Sequence, residues 1–193
     1  MANINEELTR EFFEQNGFSV KLQHKYLVTG SDRNQVDHID LLVFNTTTRS
    51  IIPIPNFVLQ MTDIPNIERA AIGIRGWHTE TFSPSVLHSS PEVFYFAEVD
   101  PQKVSQKFFR EKPFVNIMVL PMLPQNEIVR QRSIELLKEN KVTYVIEFKT
   151  ILEDLIDRVR INRNYIESNV LQFLRILKRY NLLRQYQLDF FEK

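Results

Sequence analysis

Glu11-Phe-Phe-Glu-Gln-Asn-Gly-Phe-Ser-Val20, followed by Val36-Asp-His-Ile-Asp-Leu-Leu-Val-Phe44, is the stretch on which the fold turns. Over residues 5–16, Leu8, Phe12 and Phe13 recur at helical spacing. Asn16-Gly17 then supplies a stop, because glycine enters the left-handed conformation that ends helices without a Cβ penalty. Residues 18–29 alternate in part and are rich in strand formers, Gly30-Ser31-Asp32-Arg33-Asn34 makes a turn, and residues 36–44 return as a strongly apolar strand. The opening therefore predicts a helix followed by a hairpin.

Further along, Asn45-Thr46-Thr47-Thr48-Arg49 is a second turn. Residues 50–59 are apolar, but Pro53 and Pro55 remove ladder donors and push the segment to a sheet edge or a loop. Ala70-Ala-Ile-Gly-Ile-Arg-Gly-Trp77 reads as a buried strand holding Gly73 and Gly76, and glycine inside a strand marks a close approach by backbone or ligand. Residues 93–99 predict a short strand, and Asp100-Pro101 an N-cap and first-turn proline for a helix ending near Arg110. Residues 114–120 form a near-continuous apolar run, as in strands buried on both faces. A helix over 126–140, a strand over 142–148 and a helix over 150–160 follow. The last helix, 165–180, places Ile166, Val170, Phe173, Leu174 and Leu177 on one stripe. This alternation predicts an α/β fold, a mixed central sheet with helices on both sides, over 1–160. A basic C-terminal helix over 161–184 and a tail peptide over 185–193 complete the expected organisation.

At 193 residues the chain can bury a proper core without staples. It has no cysteine, which excludes disulfide scaffolds, thiolate catalysis and cysteine-ligated metal centres and fits a reducing compartment, so the cytoplasm is the expected location. No apolar run reaches bilayer length, and the first residues lack the pattern of a signal peptide. Lys plus Arg and Asp plus Glu balance at 24 each. The balance is uneven along the chain: Arg158, Arg160, Arg163, Arg175, Lys178, Arg179 and Arg184 are opposed only by Glu167. Such a face is a candidate phosphate track, with Arg175, Lys178 and Arg179 as its DNA-binding residues, and a solvated helix surface explains the same charges.

The order helix, strand, turn, strand, with the two stretches quoted at the outset, resembles the start of the PD-(D/E)XK nuclease superfamily, the restriction-endonuclease-like proteins. The resemblance implies an Asp on the second strand, followed by Asp/Glu-x-Lys on the third, that bind Mg²⁺ and activate a water for phosphodiester cleavage. Hard Mg²⁺ takes carboxylate oxygens, and a neighbouring cation steadies the nucleophile and the developing phosphorane charge. Asp40 matches the strand Asp, Asp37 is a neighbour that could match instead, and both are candidate metal ligands; Asp40 and Arg75 are the candidate catalytic pair. If residues 70–77 are the third strand, the motif slot reads Gly73-Ile74-Arg75: the basic residue is present as Arg and the acid is missing. If the third strand is 51–55, neither is present. The departure favours a degenerate nuclease-like fold acting as a DNA- or protein-binding adaptor, or a nuclease whose acid has moved to Glu68 or Glu80. Glu147-Phe148-Lys149 spells the motif literally, but about a hundred residues after the Asp pair, beyond hairpin separation, and reads as a chance match. Arg75 could equally be a stacked partner of Trp77. His24, His38, His78 and His88 show no ligand spacing, and His78 reads as a satisfied surface group.

Near the end stands Gln187-Leu188-Asp189-Phe190-Phe191. It resembles the pentapeptide by which bacterial DNA-processing proteins bind the replication sliding clamp, with Phe190 in place of the usual Leu. The resemblance implies that Leu188 and the two aromatics enter an apolar pocket of the partner while the Gln187 amide orients the peptide. Docking of the same residues on the protein's own core is the alternative. The combined expectation is a DNA-associated protein of bacterial repair, replication or defence, with oligomeric state left open.

Overall fold

The computed structural model describes residues 4–23, 39–47 and 54–183. Among these residues five strands form one mixed sheet in the order β1 (Phe18–Leu22), β2 (Leu41–Asn45), β3 (Arg69–Ile74), β4 (Val115–Leu120) and β5 (Tyr144–Glu147). β1 pairs antiparallel with β2 and β2 antiparallel with β3, whereas β3, β4 and β5 run parallel. Among the described residues six α-helices flank the sheet: α1 (Ile4–Gln15), α2 (Pro84–Ser89), α3 (Val99–Phe108), α4 (Glu127–Glu139), α5 (Phe148–Arg158) and α6 (Asn169–Arg179). The α/β expectation holds at this level. No helix among the described residues is long and apolar enough to cross a membrane.

Strand alternation sends successive side chains to opposite faces and so divides the core in two. On one face Leu41, Val43, Ala70, Ile72, Ile117 and Ile146 meet α1, α5 and α6; on the other, Leu42, Ala71, Met118, Leu120 and Val145 meet the segments between β3 and β5. Phe12 and Phe13 of α1 are fully buried. Burial of each such ring stabilises the fold by roughly 1.5–3 kcal/mol. As expected, α1 stops at Gly17, whose φ is +83°. Its last turn is fastened to α5: Asn16 Nδ2 donates to Phe12 O and Asp154 Oδ2, and Arg158 donates to Asp154, Asn16 and the Gln15 carbonyl.

Several expected boundaries shift. Residues 93–99 are not a strand: Pro91–Ala97 is a 3-10 helix, and α3 follows at once with Glu98, not Asp100, as its cap. Pro91 opens that helix, and Val93, Phe96 and Ala97 recur at three- and four-residue spacing, all buried. The proline-broken stretch 50–59 is described from Ile54 onward and makes only an isolated parallel bridge from Val58 to Val145, beyond Pro55. The last helix begins at Asn169, not at 165, because the Ser168 hydroxyl accepts from Leu171 N and caps it. Its buried stripe is Val170, Leu171 and Leu174; Ile166 (85% exposed) and Phe173 (59%) stand in solvent, against expectation. Asp37, His24, His38, Arg184, the turn at 30–34 and the peptide Gln187-Leu188-Asp189-Phe190-Phe191 lie outside the described residues.

Candidate functional site

The parallel strands β3, β4 and β5 end at one edge of the sheet, and the antiparallel β2 begins there. Asp40 sits immediately before β2 and is held on both sides: its N–H donates to Ile72 O (3.0 Å), and its carbonyl accepts from Gln23 N (3.1 Å). Its side chain falls on the face of Leu42 and Ala71, as does Arg75 just past the end of β3. The two meet: Arg75 Nη1 lies 3.3 Å from Asp40 Oδ2, with the side chains 12% and 10% exposed. The same oxygen accepts the Ile74 N–H at 2.6 Å. Sequence reasoning placed these two residues together, and the structure does so.

Arg75 has further fixed partners. Its backbone N–H continues the ladder to Val119 O, Nε donates to Val93 O (2.9 Å), Nη1 donates to Ile74 O (2.9 Å), and the guanidinium lies 5.5 Å from the centre of the Phe96 ring. The aromatic partner is therefore Phe96; Trp77 stacks on Phe82 instead. Burial pushes the guanidinium below its ordinary pKa, and Asp40, with a smaller contribution from Glu92, pulls it back up. Arginine in this setting ties β3 to the 3-10 helix, and it cannot lose a proton to act as a base.

Gly73, the position of the missing acid, shares the face of Asp40 and Arg75. A Cβ built there would stand 2.6 Å from Phe96 Cγ, 2.7 Å from Cδ1 and 2.9 Å from Cδ2. The space where a metal-binding carboxylate would begin is filled by a buried ring. Glu68, one alternative acid, is ion-paired to Arg69 at the opposite end of β3, and Glu80 is exposed in a turn closed by its N–H to Trp77 O. Among the described residues no group of three or more His, Asp or Glu gathers to hold a cation. Asp40 is the sole acid among the described motif positions, and its Oδ2 already bonds Arg75 and Ile74.

The other sequence candidates separate. Glu147 Oε1 accepts from Leu123 N (2.9 Å) and Arg130 Nη1 (3.3 Å), fixing the loop after β4, while Lys149 pairs with Glu153 on the surface of α5. His78 Nε2 lies 2.9 Å from Asn5 Oδ1, and its ring meets Phe148 edge-on. Gly76 is also a site of close approach, since an added Cβ would collide with the Asn5 side-chain amide. In the basic segment, Arg175 Nε donates to Ile161 O and its Nη1 to Asn164 and Gln172, and Lys178 Nζ donates to Ile156 O in the last turn of α5. Arg160, Arg163 and Arg179 are exposed.

Sequence reasoning missed one constellation. On the face of Asp40, at the far end of β2, a cleft of about 380 Å³ is lined by Lys21, Phe44, Arg69, Phe108, Arg110 and Lys112, among others. The string Phe108-Phe-Arg-Glu-Lys112 carried the signal, aromatics followed by cations, but it reads locally as a helix end. Comparison with known proteins finds no matching family, no matching curated protein and no matching solved structure.

Proposed function

We propose that the chain is a DNA-associated adaptor on a degenerate PD-(D/E)XK-like scaffold, in which the remnant catalytic pair serves as a structural latch. One observation carries the reading. Asp40 and Arg75 meet across adjacent strands on one face, the relation the family resemblance implies, while the acid position between them is Gly73 under the Phe96 ring. The antiparallel run of β1, β2 and β3 after α1 supports the same likeness. The basic C-terminal segment supplies a phosphate track in this reading. Arg179, Arg160 and Arg163 are its exposed members, and Arg175 and Lys178 add charge while holding the segment in place. The peptide Gln187-Leu188-Asp189-Phe190-Phe191 is the proposed contact to a bacterial sliding clamp, which would bring the adaptor to DNA during repair, replication or defence.

The test incubates wild-type protein and Asp40→Asn with supercoiled and branched DNA in Mg²⁺ or Mn²⁺, with gel-shift lanes in parallel. DNA binding without nicking is the expected result. Metal-dependent nicking that disappears in Asp40→Asn would restore the hydrolase reading, and absence of both nicking and binding would remove the DNA assignment.

A further inference from the structure

The cleft lies on the sheet's second face, beside β1 and the end of β2. Its floor is Lys21 of β1, Phe44 of β2 and Arg69 of β3; its wall is Phe108 at the end of α3; its rim is Arg110 and Lys112 in the loop leading to β4. Phe44 and Phe108 are 37% and 39% exposed, so both rings present apolar surface to whatever enters. Four cations converge there, and the lining contains no acid. Arg69 is paired to Glu68, whereas among the described residues no carboxylate lies within ion-pair distance of Lys21, Arg110 or Lys112. Lys21 Nζ stands 4.9 Å from the centre of the Phe108 ring, and the Arg69 guanidinium lies 5.5 Å from that of Phe44.

Two consecutive non-glycine residues in the loop after α3, Arg110 and Glu111, have φ of 54° and 60°. Left-handed backbone is costly for such side chains, and strain of this kind persists only where surrounding structure enforces it. Here it turns the chain sharply after α3 and sets Arg110 and Lys112 beside the phenyl rings.

Cations with no carboxylate partner among the described residues, set beside exposed aromatic faces, suit a ligand that is both anionic and planar. Phosphate alone would leave the rings unused, and a base pair stacked within a duplex has no free face to offer them. The geometry points to a binding site for single-stranded nucleic acid, with an unpaired base on Phe108 or Phe44 and its flanking phosphates on Lys21, Arg110 and Lys112. Base–aromatic stacking and a cationic track are the two contributions by which single strands are held. On entry the base takes the ring face that Lys21 covers, freeing that ammonium for a phosphate. The site lies four residues along β2 from Asp40, about 13 Å at strand rise, so it is separate from the Asp40–Arg75 latch.

Fluorescence anisotropy with labelled oligothymidylate, a duplex of equal length and free thymidine monophosphate decides the matter. The full-length protein should bind the oligothymidylate at least about tenfold more tightly than the duplex, and the mononucleotide only weakly. Lys21→Glu with Lys112→Glu, both exposed, should abolish most single-strand binding and flatten its dependence on salt. Phe108→Leu should weaken binding about 5- to 150-fold while leaving the salt slope unchanged, a signature that loss of charge would not give. Thermal melting of each variant identifies any that fail to fold, and Phe44→Leu then replaces Phe108→Leu. Equal affinity for duplex and single strand, binding of the free nucleotide as tight as the oligomer, or unchanged affinity in the charge-reversed variant would each overturn the proposal. Loss of single-strand binding with duplex binding retained would leave the adaptor reading standing.

Discussion

Replacing Gly73 by Ala tests whether the acid position is closed by packing. The new Cβ would meet three atoms of the Phe96 ring at 2.6–2.9 Å, over its face and not at its edge. Phe96 is fully buried, so the ring cannot swing into solvent. Moving it back means moving the 3-10 helix, whose Val93 carbonyl holds Arg75, and Arg75 in turn holds Asp40. Overpacking a core site costs about 1–3 kcal/mol, and a clash that must displace a linked segment belongs at the upper part of that range. For a chain of this size, a loss of about 2–3 kcal/mol lowers the melting temperature by about 4–12 °C. Phe96→Ala alone should cost about 3–5 kcal/mol by leaving a cavity. In the double variant the methyl group enters the space the ring vacated, so the two losses should fall short of additivity by about 1–3 kcal/mol. Urea titration and thermal melting followed by circular dichroism measure both quantities. Gly73→Ala stability within about 0.5 kcal/mol of wild type, or strict additivity in the double variant, would refute the packing argument. Gly73→Glu, which restores the motif's acid, should be less stable than Gly73→Ala, because its longer side chain starts from the same clash.

Asp40→Ala should destabilise by about 3–5 kcal/mol, since it strands the buried Arg75 charge and removes the acceptor of the Ile74 N–H. Urea titration giving a wild-type midpoint would show that the latch contributes nothing. Within the basic segment the roles should separate: Arg179→Ala weakens DNA binding and its salt dependence without altering stability. Lys178→Ala, by contrast, also lowers the melting temperature, because it releases the Ile156 carbonyl. An affinity and salt slope unchanged in the Arg175, Lys178 and Arg179 triple alanine variant would reduce these charges to a solvated surface. Gln187→Ala with Phe191→Ala should abolish capture by an immobilised sliding clamp and leave melting nearly unchanged. A stability loss of about 2–5 kcal/mol instead would place the peptide in the core.

Periodicity carried most of the fold. Phe12 and Phe13 with Asn16-Gly17, the apolar run before Leu120, and the helical stretch 126–140 each announce an element whose ends lie within two residues of those expected. Residues 93–99 misled because they are rich in strand formers, while the spacing of Val93, Phe96 and Ala97 and the proline at 91 follow a helical rule that a short window hides. The exposed side of α6 was unreadable for a related reason. A stripe of five apolar residues says that a face is apolar, not how much of it the neighbouring α1 and α5 are placed to cover. At the site, the expectation that Asp40 would stand near Asp37 or Arg75 came from the resemblance to the nuclease superfamily, and the structure pairs it with Arg75. The ring over Gly73 was not legible, because Phe96 lies 23 residues away and reaches the strand through a segment with no strand register of its own. The cleft was equally hidden, since its six key residues come from β1, β2, β3, α3 and a loop, and only folding brings their charges together.

The fastening of α1 to α5 bears on how the protein is made. Asn16 bonds to Asp154 across 138 residues of sequence, and Arg158 bonds back to Asn16 across 142. At about 5–20 residues per second, a ribosome needs on the order of ten seconds between delivering the first helix and delivering the one that locks its end. Through that interval the part of the core that α5 and α6 supply to Phe12 and Phe13 is missing. Contacts so distant along the chain form slowly, because ordering the intervening loop precedes any gain from closing it. The helix α1 is therefore made before the other elements of this sheet yet is among the last of them to be secured, and for those seconds two of the largest core side chains are a nascent-chain chaperone's natural target.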